Sequence, residues 1–377
     1  MRVKLCQPLP FRGRGWGGAV RQAILSARHP RPLPCRGGAS NSRRLANWQN
    51  LHRLPLFPGS VTAVFLTIDT ELMWRHHAAG CDLATQIERS LEPAGVGIRY
   101  QLDMLGRHGL KGTFFVDPMP TMVFGLDAIR PVVETVLAAG QEVQLHMHPN
   151  WAGAKADDAG KSSGRFELID YNLDEQRTLI AGARDLLKAC GAPDPVAFRA
   201  GSYAANDGTL VALAELGFRY DSSHNGADAP WPSQIGLPQR QIAPVAHNGV
   251  TEVPVTVIED VPGNLRHFQI CALSQGEMRA ALDHAVAEEH EAVTVVSHGF
   301  ELANRAGTRA NGVHVARFEG LCAMLADARS TLPTTWFRDL PDFVSASQAT
   351  PLAPNMLRTR WRQAEQLWSN LVEERAA

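Results

Sequence analysis

Short apolar, β-branched runs alternate with helix-like stretches six or seven times between residues 62 and 337. That alternation restricts the chain to a parallel α/β architecture, either a closed barrel or an open sheet. The spacing predicts strands at 62–68, 111–116, 141–145, 196–198, 218–221, 251–258, 292–297 and 334–337. Helices are expected at 95–108, 126–139, 173–190, 207–216, 274–290, 313–328 and 339–346. Gly109, Gly140 and Gly191 stand where helix C-caps fall, and Asn172 with Glu175 and Ser274 with Glu277 supply capping boxes. Residues 150–170 form a polar loop too long for a plain connection. Pro254 marks the 251–258 run as an edge or irregular strand.

Polar residues collect at the strand ends. Asp69 and Glu71, Asp117, His146 and His148, Arg199, and His298 each lie at or just past the C-terminal end of an expected strand. In a parallel barrel those ends converge on one face, where catalytic groups gather. Residues i and i+2 of a strand share a face, so His146 and His148 can reach one ion, and Asp69 and Glu71 can point the same way. Oxygen and imidazole donors without sulfur suit Zn²⁺ or another first-row divalent ion. Hydrolysis of an amide or ester at such an ion needs a base for the water proton and an acid for the leaving nitrogen. His298, on a different strand, is placed to be that acid. Arg199 can pair with a carboxylate and hold it ionised. Trp74, Trp151, Tyr203 and Trp231 are candidate walls of a sugar groove. The plain structural alternatives are a capped strand–loop junction for Asp69 and Glu71, an ion pair for Arg199, and packing for the aromatics.

The tails differ from the body. Residues 1–68 hold eleven Lys and Arg and no acid, which leaves 26 basic and 38 acidic residues elsewhere, a net of −12. The body is therefore not a nucleic-acid binder by charge. Residues 1–59, rich in Arg, Pro and Gly, read as a disordered or irregular N-terminal extension, either a transit-like segment or an over-extended start. Residues 60–347 form the expected catalytic domain. Residues 348–377 read as a helical tail docked through Leu357, Trp361 and Leu367. The six cysteines are scattered, without CxxC, and read as reduced thiols. No apolar run reaches membrane-span length, and no secretory core is seen, so a cytoplasmic location is expected. No GxSxG, Walker or dinucleotide glycine motif lies at a strand–helix junction.

Five segments, taken in order, resemble motifs of the polysaccharide deacetylase (NodB-homology) family, carbohydrate esterase family four. Residues 66–71 (LTIDTE) are similar to its first motif, usually T-F-D-D. Residues 112–116 (GTFFV) resemble its second strand. Residues 140–148 (GQEVQLHMH) are similar to its metal-histidine segment, usually G-H-E-I-x-x-H. Residues 198–203 (FRAGSY) resemble its R-x-P-Y motif, and 296–301 (VSHGFE) its final leucine-histidine motif. The resemblance spans roughly residues 60–345.

The resemblance implies a distorted (β/α) barrel. It also implies metal-dependent hydrolysis of a carbon–nitrogen bond that is not a peptide bond. An acyl group, acetyl first, would leave an amino sugar of a polysaccharide or glycolipid precursor. By position Asp69 is the general base, His146 a metal ligand, Arg199 the residue that positions Asp69, and His298 the general acid. Thr70 stands where the family has its metal-binding second Asp, and Glu71 is the substitute. Asn150 stands where the second histidine is usual, and His148 is the substitute. Gly201 replaces the usual proline. The expected ligand set is Glu71, His146 and His148, around Zn²⁺, with Co²⁺ and Ni²⁺ as alternatives; Trp74, Trp151 and Tyr203 are the expected substrate contacts. Two other readings remain. One is a nucleotide-sugar glycosyltransferase that holds a metal–diphosphate on Asp69 and Glu71. The other is a non-catalytic carbohydrate-binding barrel.

Overall fold

The structure, a computed structural model, describes residues 61–157, 165–340 and 349–374. The chain divides into two compact units at Leu54/Pro55. The first, and with it nearly all of the expected N-terminal extension, lies outside the described residues, as does most of the helix expected at 339–346. The second holds both the expected catalytic domain and the C-terminal tail.

The strands are β1 (Ala63–Thr70), β2 (Thr113–Val116), β3 (Glu142–Met147), β4 (Ala197–Ala200), β5 (Tyr220–Asp221), β6 (Val245–His247), β7 (Val250–Glu252), β8 (Val257–Val261), β9 (Asn264–His267) and β10 (Ala292–His298). Eight of them form one sheet in the order β10-β1-β2-β3-β4-β5-β7-β6, parallel except for the β6–β7 hairpin. The helices are α1 (Trp74–Ala78), α2 (Leu83–Leu91), α3 (Ile98–His108), α4 (Thr121–Phe124), α5 (Arg130–Ala138), α6 (Leu173–Ala189), α7 (Asp207–Glu215), α8 (Gln275–Ala287), α9 (Gly312–Asp327) and α10 (Met356–Trp368).

The sheet curls into a distorted barrel. The chain beyond β7 crosses to β10, where Thr256 N donates to the Thr294 carbonyl at 3.2 Å and Thr294 N to Thr256 Oγ1 at 2.9 Å. Alternation along β1 separates two cores. Val64, Leu66 and Ile68 pack outward under the helices. Phe65 faces inward with Phe115, Ala197, Tyr220, Val253 and Phe337. Phe337 plugs the end remote from the polar strand ends, its ring 4.6 Å from Phe65, and Glu142 accepts its backbone N–H at 2.9 Å. The opposite end carries the polar residues. Register aligns Asp69 with His298 and Phe115, and His146 with Arg199.

Several expectations need correction. Between the strand expected at 62–68 and the helix expected at 95–108, where no helix is expected, lie α1 and α2. The 251–258 run breaks at its proline into β7 and β8, and β8 turns back on β9. The expected strand at 334–337 reduces to one bridge between Thr334 and Val64. In the tail, Leu357, Trp361 and Leu367 do not dock. All three are exposed, and α10 is held through polar groups instead: Arg362 on Asp260 at 2.7 Å and Glu277 at 3.1 Å, and Thr359 on the Asp260 carbonyl at 2.7 Å.

Candidate active site

The end of β1 supplies two carboxylates to the barrel mouth. Asp69 meets Arg199, which reaches across the interior from β4 with Nη1 2.7 Å from Asp69 Oδ1. The guanidinium is fully buried. It also donates to Thr67 Oγ1 at 2.8 Å, the Ser222 carbonyl at 3.1 Å and Ser222 Oγ at 3.0 Å, and it lies 4.4 Å from the centre of the Phe115 ring. Such an Arg cannot leave Asp69 without abandoning four other contacts. Asp69 Oδ2 is left facing His298 Nε2 at 3.8 Å.

Glu71 follows Asp69 two residues on and meets the histidines. His146 Nδ1 lies 2.8 Å from the Arg199 carbonyl, to which only an N–H can donate. That bond fixes the ring and turns Nε2 to Glu71, 3.5 Å away. His148 Nε2 contacts the same Glu71 oxygen. One donor atom from each of Glu71, His146 and His148 lies within 4.8 Å of the other two. A tetrahedral ion with bonds of about 2.0–2.1 Å holds its ligand atoms about 3.4 Å apart, so the set fits a divalent cation with little movement.

The charges around this set point the same way. Burial opposes the Glu71 carboxylate, but the His148 charge and hydrogen bonds from both imidazoles hold it well below the usual range. Burial opposes charge on His148 too. The Glu71 carboxylate beside it, with Asp117 and Glu167 behind, raises it to about 10. Burial pushes Asp117 up to about 6, and its Oδ2 has no hydrogen-bond partner. A buried carboxylate oxygen left unpartnered beside two imidazoles is a feature that a bound cation would relieve.

His298, at the end of β10, is held from behind. Glu301 Oε2 accepts its backbone N–H at 3.0 Å and stands 3.6 Å from Nδ1; the Gln269 amide bridges Nδ1 and Glu301 at 3.2 and 2.8 Å. Burial would lower the His298 pKa. The hydrogen bond to Glu301 and the charges of Asp69, Glu301 and Glu71 raise it to about 9. Its proton is therefore present at neutral pH. Glu301 and Gln269 were not singled out as site residues. The spacing of Glu301 from His298, three residues on in HGFE, was the available signal.

The aromatics divide. Trp151 is 1% exposed, packed edge-on against Trp74 at 5.0 Å and near Phe124 and His77. It belongs to the core, which corrects its expected place in a sugar groove. Trp74 is half-buried over it and also meets Phe166 edge-on at 6.0 Å. Tyr203 stands beside Asp69 with its hydroxyl unpartnered, and burial with the Asp69 charge pushes that hydroxyl well above its ordinary pKa. Ser202 and Tyr203 carry φ of 53° and 56°, a left-handed pair that only glycine adopts without cost. That strained turn immediately after β4 sets the Tyr203 ring beside the site.

No protein-family model matches the chain, and no curated protein does. Among solved structures it is similar to a protein from Mycobacterium smegmatis described as a polysaccharide deacetylase, at 18% identity and TM-score 0.46, covering 82% of this chain and 93% of that one. It is also similar to a family 4 carbohydrate esterase from Streptomyces lividans (12%, TM-score 0.37, 78% and 98%) and a peptidoglycan deacetylase from Bacillus subtilis (12%, 0.32, 84% and 98%). The likeness to these polysaccharide deacetylases is one of fold.

The departures from that family's motifs fit together in space. Thr70 has its side chain turned away to the Ile68 carbonyl at 3.2 Å, and Glu71 faces the histidines instead. Asn150 is buried in the turn Pro149–Trp151, and its Oδ1 has no hydrogen-bond partner. A Cβ at Gly201 would lie 2.3 Å from His148 Nδ1. The missing proline is thus what gives the His148 ring its room, and two apparently separate substitutions become one rearrangement.

Proposed function

We propose that this protein is a metal-dependent hydrolase that removes an acyl group, acetyl first, from the nitrogen of an amino sugar in a polysaccharide or glycolipid precursor. The observation that carries the reading is the convergence of Glu71, His146 and His148 beside an Arg199-held Asp69, with His298 opposite.

Glu71, His146 Nε2 and His148 Nε2 would hold the ion. A divalent cation there supplies positive charge that polarises an acyl carbonyl and acidifies a water. Asp69 accepts the proton of that water as its oxygen attacks the acyl carbon. Arg199 fixes one Asp69 oxygen and leaves the other for the proton. His298 then gives its Nε2 proton to the amide nitrogen as the carbon–nitrogen bond breaks, releasing a carboxylic acid and a free amine. Tyr203 and Trp74 border the opening where the sugar would lie. The glycosyltransferase reading leaves the three histidines without a joint role.

The test is metal analysis combined with acetate release from N-acetylated amino-sugar oligomers. Bound divalent metal with acetate release supports the proposal. Protein that binds no Zn²⁺, Co²⁺ or Ni²⁺ and releases no acetate contradicts it, and sugar binding under those conditions would point to a non-catalytic barrel.

A further inference from the structure

Surface helices of globular proteins ordinarily bury their apolar face. The C-terminal helix does the reverse. Arg362, Thr359, Glu365 and Ser369 tie it to the body through Asp260, Glu277, Arg317 and Asn311. Its large apolar side chains point to solvent: Met356 and Trp361 are 65% exposed, Leu357 82% and Trp368 58%, with Leu367 and Leu371 about half exposed. The contacts that order this helix are therefore not those its apolar residues make.

The exposed face has a definite pattern. Leu357, Trp361, Ala364 and Trp368 follow one another along α10 at spacings of four, three and four, the spacing of a seam between two helices, and Leu371 lies just beyond in a π-helical turn, Ser369–Glu373. Exposed apolar residues fall on both sides of Ala364, the one small residue among them, with Trp368 at +4 matched by Arg360 at −4. Leu357 and Leu371 lie seven residues to either side, and Trp361 lies three before it with Leu367 three after. A two-fold interface needs this kind of self-complementarity, because the same patch must serve both copies. The exposed apolar side chains offer on the order of 700 Å² per copy, close to the roughly 800 Å² a side of a standard interface.

We infer that the occupant of this face is a second copy of this chain, and that the protein is a homodimer joined by antiparallel C-terminal helices crossing at Ala364. Leu357 of one copy packs on the partner's Leu371, and Trp361 on the partner's Leu367 and Trp368. Ala364, on the axis, lets the backbones approach. The inference does not rest on the proposed chemistry. The helix end does touch the site's surroundings: Glu374 accepts the Arg305 N–H at 3.0 Å and holds Asn311 at 3.2 Å, both in the loop that follows β10 and His298.

Light scattering after size exclusion, on the full chain at about 10 μM, should give twice the chain mass. Trp361→Glu should give the chain mass, with an unchanged circular-dichroism spectrum. Ala364→Cys should form an intermolecular disulfide on mild oxidation that the parent chain does not form. A parent chain that stays monomeric at 100 μM overturns the inference. So does a Trp361→Glu variant that remains dimeric. Monomeric protein that floats with phosphatidylcholine–phosphatidylglycerol vesicles, and loses that binding in Trp361→Glu, would overturn it in favour of a lipid surface.

Discussion

The two carboxylates of β1 lie two residues apart and meet opposite conditions. Asp69 is matched by a buried guanidinium that also donates to Thr67 and Ser222 and lies over the Phe115 face. Its surroundings are complete without any ligand. Glu71 shares one oxygen between two imidazoles, and the neighbouring Asp117 Oδ2 has no partner. Within the protein the Glu71 charge is met by the His148 imidazole, whose pKa it raises to about 10. The lesson is that pre-satisfaction separates the roles. A base must keep its geometry through turnover, whereas a ligand set must be able to exchange protons for a cation.

The largest effect should come from the ligand half. His146→Ala or Glu71→Ala should lose both bound metal and turnover, read by metal analysis and acetate release; retained metal in either variant would break the division. Next, Asp69→Asn keeps a hydrogen-bond acceptor for Arg199 but removes the proton acceptor. It should cost about 10²–10⁴ in kcat with metal content unchanged. Gly201→Ala should be milder. The new Cβ displaces the His148 ring and weakens metal affinity by about 10–100-fold, measured by competition with a chromogenic chelator, with activity partly restored by excess metal.

The smallest effect concerns pH. His298, the proposed acid, carries its proton until pH rises through about 9, so on that proposal the rate should fall above that value. Glu301→Gln removes the charge behind Nδ1 and should move this alkaline limb to lower pH. A pH–rate profile that does not move would separate Glu301 from the acid. Folding follows the same sign. The raised His298 pKa adds stability that is whole below its unfolded value of about 6.5 and is lost as pH climbs through about 9.

Much of the barrel was legible because its strands end abruptly. VFLTIDTE and QEVQLHMH each pass from apolar to ionisable residues at a strand terminus, and parity then fixes which side chains share a face. The carboxylate–guanidinium pairing followed from opposite charges at two strand ends. What stayed hidden depended on three-dimensional closure. The α1–α2 region carries Trp74, His76 and His77, which mask its helical period. The short strands around Pro254 have no length for a period to show. Glu301 acts through a turn, where no repeat exists. The C-terminal helix misled in a physical way: its apolar residues read as docking contacts, yet buried Arg362 and Thr359 do the docking.

The division of labour between Asp69 and Glu71 is tested most directly by anomalous diffraction from Zn²⁺-soaked crystals of the parent chain and of Asp69→Asn. One zinc peak bonded to Glu71, His146 Nε2 and His148 Nε2, at equal strength in both proteins, is the predicted result. A peak bonded to Asp69, or one that disappears in Asp69→Asn, would contradict the account.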